Sequence, residues 1–224
     1  MNLQAIAESA AIAGKEIDLT GCDYGPHRLS GLYLKVQPYY HFLAGFVRTL
    51  GVRKILEIGT SYGGSIMAMD RGLRGKEPGT QLVTVDKVDI AGEAVGALAH
   101  IKRIHGDSLS ADTLRKVRQH LDAPIDLFYL DSKHSYDHTQ KNVAIYGGEF
   151  RPKYIILDDI RLNDEMARYW TEAQARFGQF AFDASAAANR PDGFGLLDFA
   201  GYSSSRGGEK QSLPPELTAA RPKP

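Results

Sequence analysis

Residues 54–65 read Lys-Ile-Leu-Glu-Ile-Gly-Thr-Ser-Tyr-Gly-Gly-Ser, an apolar run that ends in an acid and opens into a glycine loop. Ile55, Leu56 and Ile58 predict a short buried strand, and a helix is expected from Ser65 to Met69. Between them Gly59, Gly63 and Gly64 let the backbone turn tightly and approach a ligand closely. A strand, a glycine loop and a helix in that order belong to an α/β sheet with a nucleotide-type site at its mouth.

The loop argues against a dinucleotide. A pyrophosphate cradle needs Gly-x-Gly-x-x-Gly with an acid about 20 residues on. Here Ser61 stands at the second glycine position, and the acid ending the next strand, Asp86, lies further along. No Gly-Lys-Ser/Thr is present for a nucleoside triphosphate. Glu57, two residues before the first glycine, would repel phosphates in a low-dielectric cleft. It suits a phosphate-free, positively charged ligand such as S-adenosylmethionine (SAM).

In these residues the chain resembles the class I SAM-dependent methyltransferases. Glu57-x-Gly59-x-x-x-Gly63-x-Ser65 is similar to their first motif, Asp86 to the acid that takes the ribose hydroxyls, and Gly106-Asp107-Ser108 to the segment beside the adenine. The resemblance spans roughly residues 30 to 200. It implies a Rossmann-like α/β fold with a seven-stranded, mostly parallel sheet and helices on both faces. The cofactor contacts it implies are Glu57, Gly59, Thr60, Ser61, Tyr62, Ser65, Asp86, Lys87, Asp107, Ser108 and Asp131.

The periodicity agrees. Leu3, Ile6, Ala7 and Ala10 predict a short N-terminal helix, and Leu43, Phe46, Val47 and Leu50 the apolar face of a helix over 32–50. Residues 21–31 read as loop. Strands are expected near 53–58, 81–86, 101–105, 125–130, 153–158, 179–183 and 194–199. Near-continuous apolar runs such as Tyr154-Ile-Ile-Leu157 fit a sheet covered on both faces. The resemblance makes the last strand antiparallel. Residues 1–50 are expected to form a helical lid, 51–202 the SAM-binding domain, and 203–224, rich in Ser, Gly, Pro and charge, a disordered tail.

Beyond the loop, chemistry gathers at two strand ends. The fourth strand runs into Asp131-Ser-Lys-His134-Ser-Tyr136 and the fifth into Asp158-Asp159. Neighbouring strands lie about 4.8 Å apart, so Asp131 should come within reach of both later acids. Three gathered carboxylates raise one another's pKa unless a cation neutralises them, and oxygen donors select Mg²⁺ or another hard divalent ion. The competing reading is that such acids only cap the next helix. Consecutive Asp158 and Asp159 converge only if the strand stops there.

Asp-x-x-His-x-Tyr followed by an acid pair resembles the metal-dependent small-molecule O-methyltransferases, especially those acting on natural-product sugars, and their cephalosporin-hydroxylase-like relatives. Their pair is often Glu-Asp; here it is Asp-Asp. The resemblance implies Asp131, Asp158 and Asp159 as metal ligands. Asp131 and His134 are the catalytic candidates: an ordinary histidine pKa near 6.5 makes His134 the best general base, although it could equally only order the loop or contact the cofactor. Lys133 and His105 are weaker base candidates.

Other residues read mostly as structure: Tyr33, Tyr39, Tyr40 and His41 as core or lid packing, and Tyr169, Trp170 and Phe177 as core. Tyr136 reads as a helix start beside the acid loop, and Arg161, Asn163 and Asp164 as loop. Lys+Arg and Asp+Glu both number 27, so no net field draws the chain to nucleic acid or an anionic membrane. The single cysteine, Cys22, allows no internal disulfide and favours a reducing, cytoplasmic setting. A homodimer is the default assembly. The expected reaction is methyl transfer to a hydroxyl of a small molecule, a secondary metabolite or sugar, assisted by a divalent ion. The alternatives are a metal-independent N-methyltransferase and a non-methylating, hydroxylase-like enzyme. Acceptor choice is assigned to residues 19–40 and 161–190.

Overall fold

The computed structural model describes residues 2–23, 36–75, 78–90 and 93–205. Helices α1 (Leu3–Gly14) and α2 (Pro38–Leu50) precede β1 (Lys54–Ile58). Then follow α3 (Gly64–Gly72), β2 (Gln81–Asp86), α4 (Glu93–Gly96), β3 (Ile101–His105), α5 (Ala111–Arg118) and β4 (Leu127–Leu130). The chain continues through α6 (Tyr136–Phe150), β5 (Tyr154–Asp158), α7 (Asp164–Phe177), β6 (Ala181–Asp183), α8 (Ser185–Ala188), β7 (Phe194–Asp198) and α9 (Phe199–Ser205).

The strands form one seven-stranded sheet in the order β3-β2-β1-β4-β5-β7-β6. The first five are parallel, and β7 runs antiparallel to both β5 and β6. Every expected strand is present. β4 starts later than the apolar run because the Ile125 amide bonds the Phe150 carbonyl at the end of α6. β1 and β4 are adjacent although β2 and β3 intervene in sequence. That reversal opens a crevice beyond their carboxyl ends, where ligands bind in this class of sheet.

Alternation along the strands divides the core. Ile55, Leu82, Leu127, Tyr129 and Ile156 face α1, α2 and α3. Leu56, Ile58, Val83, Phe128 and Leu157 face the opposite way, toward α6 and α7 with Tyr146, Trp170 and Phe177. α2 begins at Pro38, whose fixed φ suits a first helical turn and holds Gln37 extended. The helix expected over 32–50 is therefore shorter. Its first residues, Tyr33 and most of the 21–31 loop lie outside the described residues. α1 and α2 share the core with α3. Ser203–Ser205 complete α9 instead of opening the tail, and 206–224 lie outside the described residues. Among the described residues, no helix is long and apolar enough to cross a membrane.

Candidate active site

A cavity of about 410 Å³ lies beyond the carboxyl ends of β1, β2 and β4, within the size range of small-ligand pockets. Gly59, Ser61, Asp86, Lys87, Asp107, Ser108 and Asp131 line it, as do Ser132, Lys133 and His138. The Asp86 carboxylate accepts the Ser61 amide at 2.7 Å and the Val88 amide at 2.8 Å, which fixes its direction. Asp107 accepts the Leu109 amide at 2.9 Å, and that bond with Lys87 nearby lowers its pKa. At Gly59, φ is +107°, and a Cβ would stand 1.6 Å from the Asp131 carbonyl oxygen. Only glycine lets the loop pass the end of β4 so closely.

Four expected cofactor residues do not line this cavity: Glu57, Thr60, Tyr62 and Ser65. Strand alternation turns Glu57 to the α3 side of the sheet, where it is fully buried. Ser65 Oγ donates to one of its carboxyl oxygens and Thr84 Oγ1 to the other, while Thr60 pairs with Thr84. Burial lifts the Glu57 carboxyl to about 8, against the pull of those two hydroxyls. Glu57 thus staples β1, β2 and α3 beneath the loop rather than presenting a charge to this cavity.

Behind Asp131, the one strand-end acid of β4 and β5 that lines this cavity, the acids of the two strands meet. Asp158 closes β5, and Asp159 takes a left-handed φ of +55°, so the strand stops and the two carboxylates converge. His134 Nε2 lies 3.4 Å from Asp159 Oδ2 and 3.6 Å from Asp131 Oδ1, too long for direct hydrogen bonds. Tyr129 Oη donates to Asp131 Oδ2 at 3.1 Å. Burial, then the Asp159 charge, pushes the Asp131 carboxyl up to about 7, although 22 % of its side chain stays exposed. Burial raises Asp158 and Asp159 as well, and the three titrate as a set. Asn163 secures the loop: its side chain caps α7 at the Met166 amide and donates to the His134 carbonyl at 3.0 Å.

Into this cluster comes an arginine that the sequence reading did not single out. Arg190 Nε and Nη2 bond the two oxygens of Asp158 at 3.1 and 2.9 Å, and Nη2 lies 2.7 Å from Asp159 Oδ1. Its guanidinium also stands 4.6 Å from the centre of the buried Tyr39 ring.

Residues 46–189 match the family model described as rhamnosyl O-methyltransferase/CmcI. The chain belongs to that family. It is an O-methyltransferase by family, on the class I SAM-dependent fold. No curated protein matches its sequence. The O-methyltransferase TomG from Streptomyces achromogenes, involved in tomaymycin synthesis and solved with SAM, superposes with a TM-score of 0.61 at 20% identity, covering 85% of this chain and 95% of TomG. An O-methyltransferase from Bacillus cereus solved with SAH gives 0.55 at 20% identity, covering 87% and 90%. The mycinamycin-pathway methyltransferase MycE, solved with Mg, SAH and mycinamycin VI, gives 0.50 at 16% identity, covering 92% of this chain and 57% of MycE.

The expected metal set of this O-methyltransferase, Asp131, Asp158 and Asp159, is brought together but does not fit a divalent ion as it stands. Both oxygens of Asp158 are bonded to a guanidinium, and a second cation there would meet like charge. Among the described residues, no three His, Cys, Asp or Glu side chains have the arrangement of a metal site. His105 stands on β3, three strand spacings or roughly 14 Å from β4, with its Nε2 3.0 Å from the Lys87 carbonyl oxygen. It belongs with the Asp86 end of the crevice, not with the acids. His138 was also missed. It sits in the first turn of α6 with Nε2 3.1 Å from Ser132 Oγ, and burial lowers its pKa. The position of a helix start just after β4 was the available signal.

The remaining candidates are structural. Tyr39, Tyr40, Tyr169, Trp170 and Phe177 are core, and His41 Nδ1 meets the Gly14 carbonyl. Tyr136 opens α6, its amide held by Glu165 and its hydroxyl by Glu172. Arg161 ties the segment after β5 to Asp183 and Ser185. Cys22 is buried, which pushes its thiol up to about 11 and makes it a poor nucleophile.

Proposed function

We propose that this enzyme moves the methyl group of SAM to a hydroxyl oxygen of a small molecule. The observation that carries the reading is the continuity of one cavity, from Asp86 and Asp107 at one end to Asp131 at the other, in a chain of an O-methyltransferase family. Asp86, already oriented by two amides, takes the ribose hydroxyls. Gly106, Asp107 and Ser108 flank the adenine, and the Gly59–Ser61 turn lies against the rest of the cofactor. The methyl carbon then points toward Asp131 and His134.

An alcohol is a weak nucleophile until its proton has somewhere to go. His134 takes that proton as general base, and Asp131 and Asp159 stabilise the imidazolium that forms. The acceptor oxygen must stand about 3 Å from the methyl carbon, opposite the departing sulfur, so positioning supplies much of the rate. Leu162, exposed and with its amide on the Asp159 carbonyl, belongs to the acceptor side, and acceptor choice is assigned to the sequence segments 19–40 and 161–190, of which 24–35 lie outside the described residues. Their lack of a strong basic cluster favours a neutral hydroxylated compound over nucleic acid. A small-molecule acceptor is in keeping with MycE, solved in complex with mycinamycin VI, and with TomG, involved in tomaymycin synthesis.

Titration calorimetry with SAM tests the reading, run on the natural protein and on Asp86→Ala. The expected result is saturable binding weakened about 10- to 100-fold in the variant, the worth of one or two charge-assisted hydrogen bonds. Failure of the natural protein to bind SAM removes the proposal.

A further inference from the structure

We propose that Arg190 is the resident cation of the strand-end acid cluster: it holds Asp159 against His134 and takes the place of a divalent ion. The inference rests on the methyl-transfer reading above and goes beyond it by naming what neutralises the acids. Three observations carry it. First, the guanidinium is bidentate to Asp158 and reaches Asp159 at 2.7 Å, so one planar cation spans the acid pair. Second, its backbone is pinned on both sides. The Arg190 amide bonds the Ser185 carbonyl at 3.0 Å, its carbonyl accepts the Gly193 amide at 3.1 Å, and Asn189 before it adopts φ +51°. Third, its Cζ stands over the buried Tyr39 ring, 4.6 Å from the ring centre, and its side chain is only 20% exposed. A side chain fixed at root and head is a built component, not a surface arginine that has fallen into a gap.

Asp159 is then shared. Its Oδ1 faces Arg190 and receives no well-aligned hydrogen bond, while Oδ2 lies 3.4 Å from His134 Nε2. Arg190 bonds the acids, and it is a positioning residue that acts through Asp159. Burial opposes its charge, but Asp158 and Asp159 outweigh that and keep it protonated.

The test uses Mn²⁺ as the probe, with free ion counted by electron paramagnetic resonance, on the full-length natural protein and on Arg190→Gln and Arg190→Lys. The natural protein should show no saturable Mn²⁺ site and a turnover indifferent to EDTA. Arg190→Gln, which frees both oxygens of Asp158, should gain Mn²⁺ affinity at least about tenfold over the natural protein, with SAM affinity unchanged. Its pH–rate profile should shift, and Arg190→Lys should restore part of the original profile. A saturable Mn²⁺ site in the natural protein that disappears in Asp158→Asn would overturn the proposal, and needs no Arg190 variant to fold. SAM binding is scored separately: its absence defeats the methyltransferase reading, while the Mn²⁺ titration still decides the role of Arg190.

Discussion

Replacing Glu57 by glutamine should make the protein more stable at alkaline pH and leave it unchanged in acid. Glu57 is fully buried, and burial raises its carboxyl from the ordinary 4.5 to about 8. Between those two values the folded chain keeps a proton that the unfolded chain has released. Stability therefore falls as pH rises across the window, by up to about 1.4 kcal/mol per pH unit. Below pH 4.5 both states hold the proton and the residue contributes no pH dependence. Above about 8 both have lost it, and the full cost of roughly 5 kcal/mol has been incurred, from a displacement of 3.5 units. Glutamine keeps the shape, offers an oxygen to Ser65 or Thr84 and an amide to the other, and carries no charge to bury. Urea unfolding of both proteins from pH 4 to 9 isolates the residue, because every other group cancels in the difference. The variant's advantage should be near zero at pH 4.5 and grow to several kcal/mol by pH 8, then level off. A difference that is flat with pH, or that favours the natural protein more as pH rises, refutes the buried-acid argument.

Two other expectations follow from the site. Gly59→Ala places a Cβ 1.6 Å from the Asp131 carbonyl oxygen at φ +107°, so it should cost about 3 kcal/mol or more in unfolding free energy and weaken SAM binding in parallel. The strand-end acids titrate together, with the Asp131 carboxyl pushed up to about 7, so kcat/KM should climb near that pH as the anionic charge that stabilises the His134 imidazolium appears. Asp131→Asn should lower kcat and remove that limb; a limb that survives in the variant would assign the titration elsewhere.

Much of this was legible in the chain. Period-two and near-continuous apolar runs fixed seven strands, because a strand buried on both faces has little choice of residue. The loop at Gly59 was legible because a backbone passing another backbone tolerates only hydrogen at Cα. The acids at 131, 158 and 159 were legible as strand-end residues, and strand ends line the crevice in any sheet of this topology.

What the chain could not disclose is which way a side chain turns and what arrives from a distance. Glu57 sits in a motif that suggests a ligand contact, yet the two-residue period of β1 turns it beneath α3, toward hydroxyls 8 and 27 positions away. Arg190 lies 32 positions beyond Asp158, in a short turn before β7, and meets it only because β7 pairs antiparallel with β5. Local pattern determines elements and their order, since propensity and periodicity act over a few residues. The charge state and partners of the acid cluster are long-range properties, and only the packed sheet decides them.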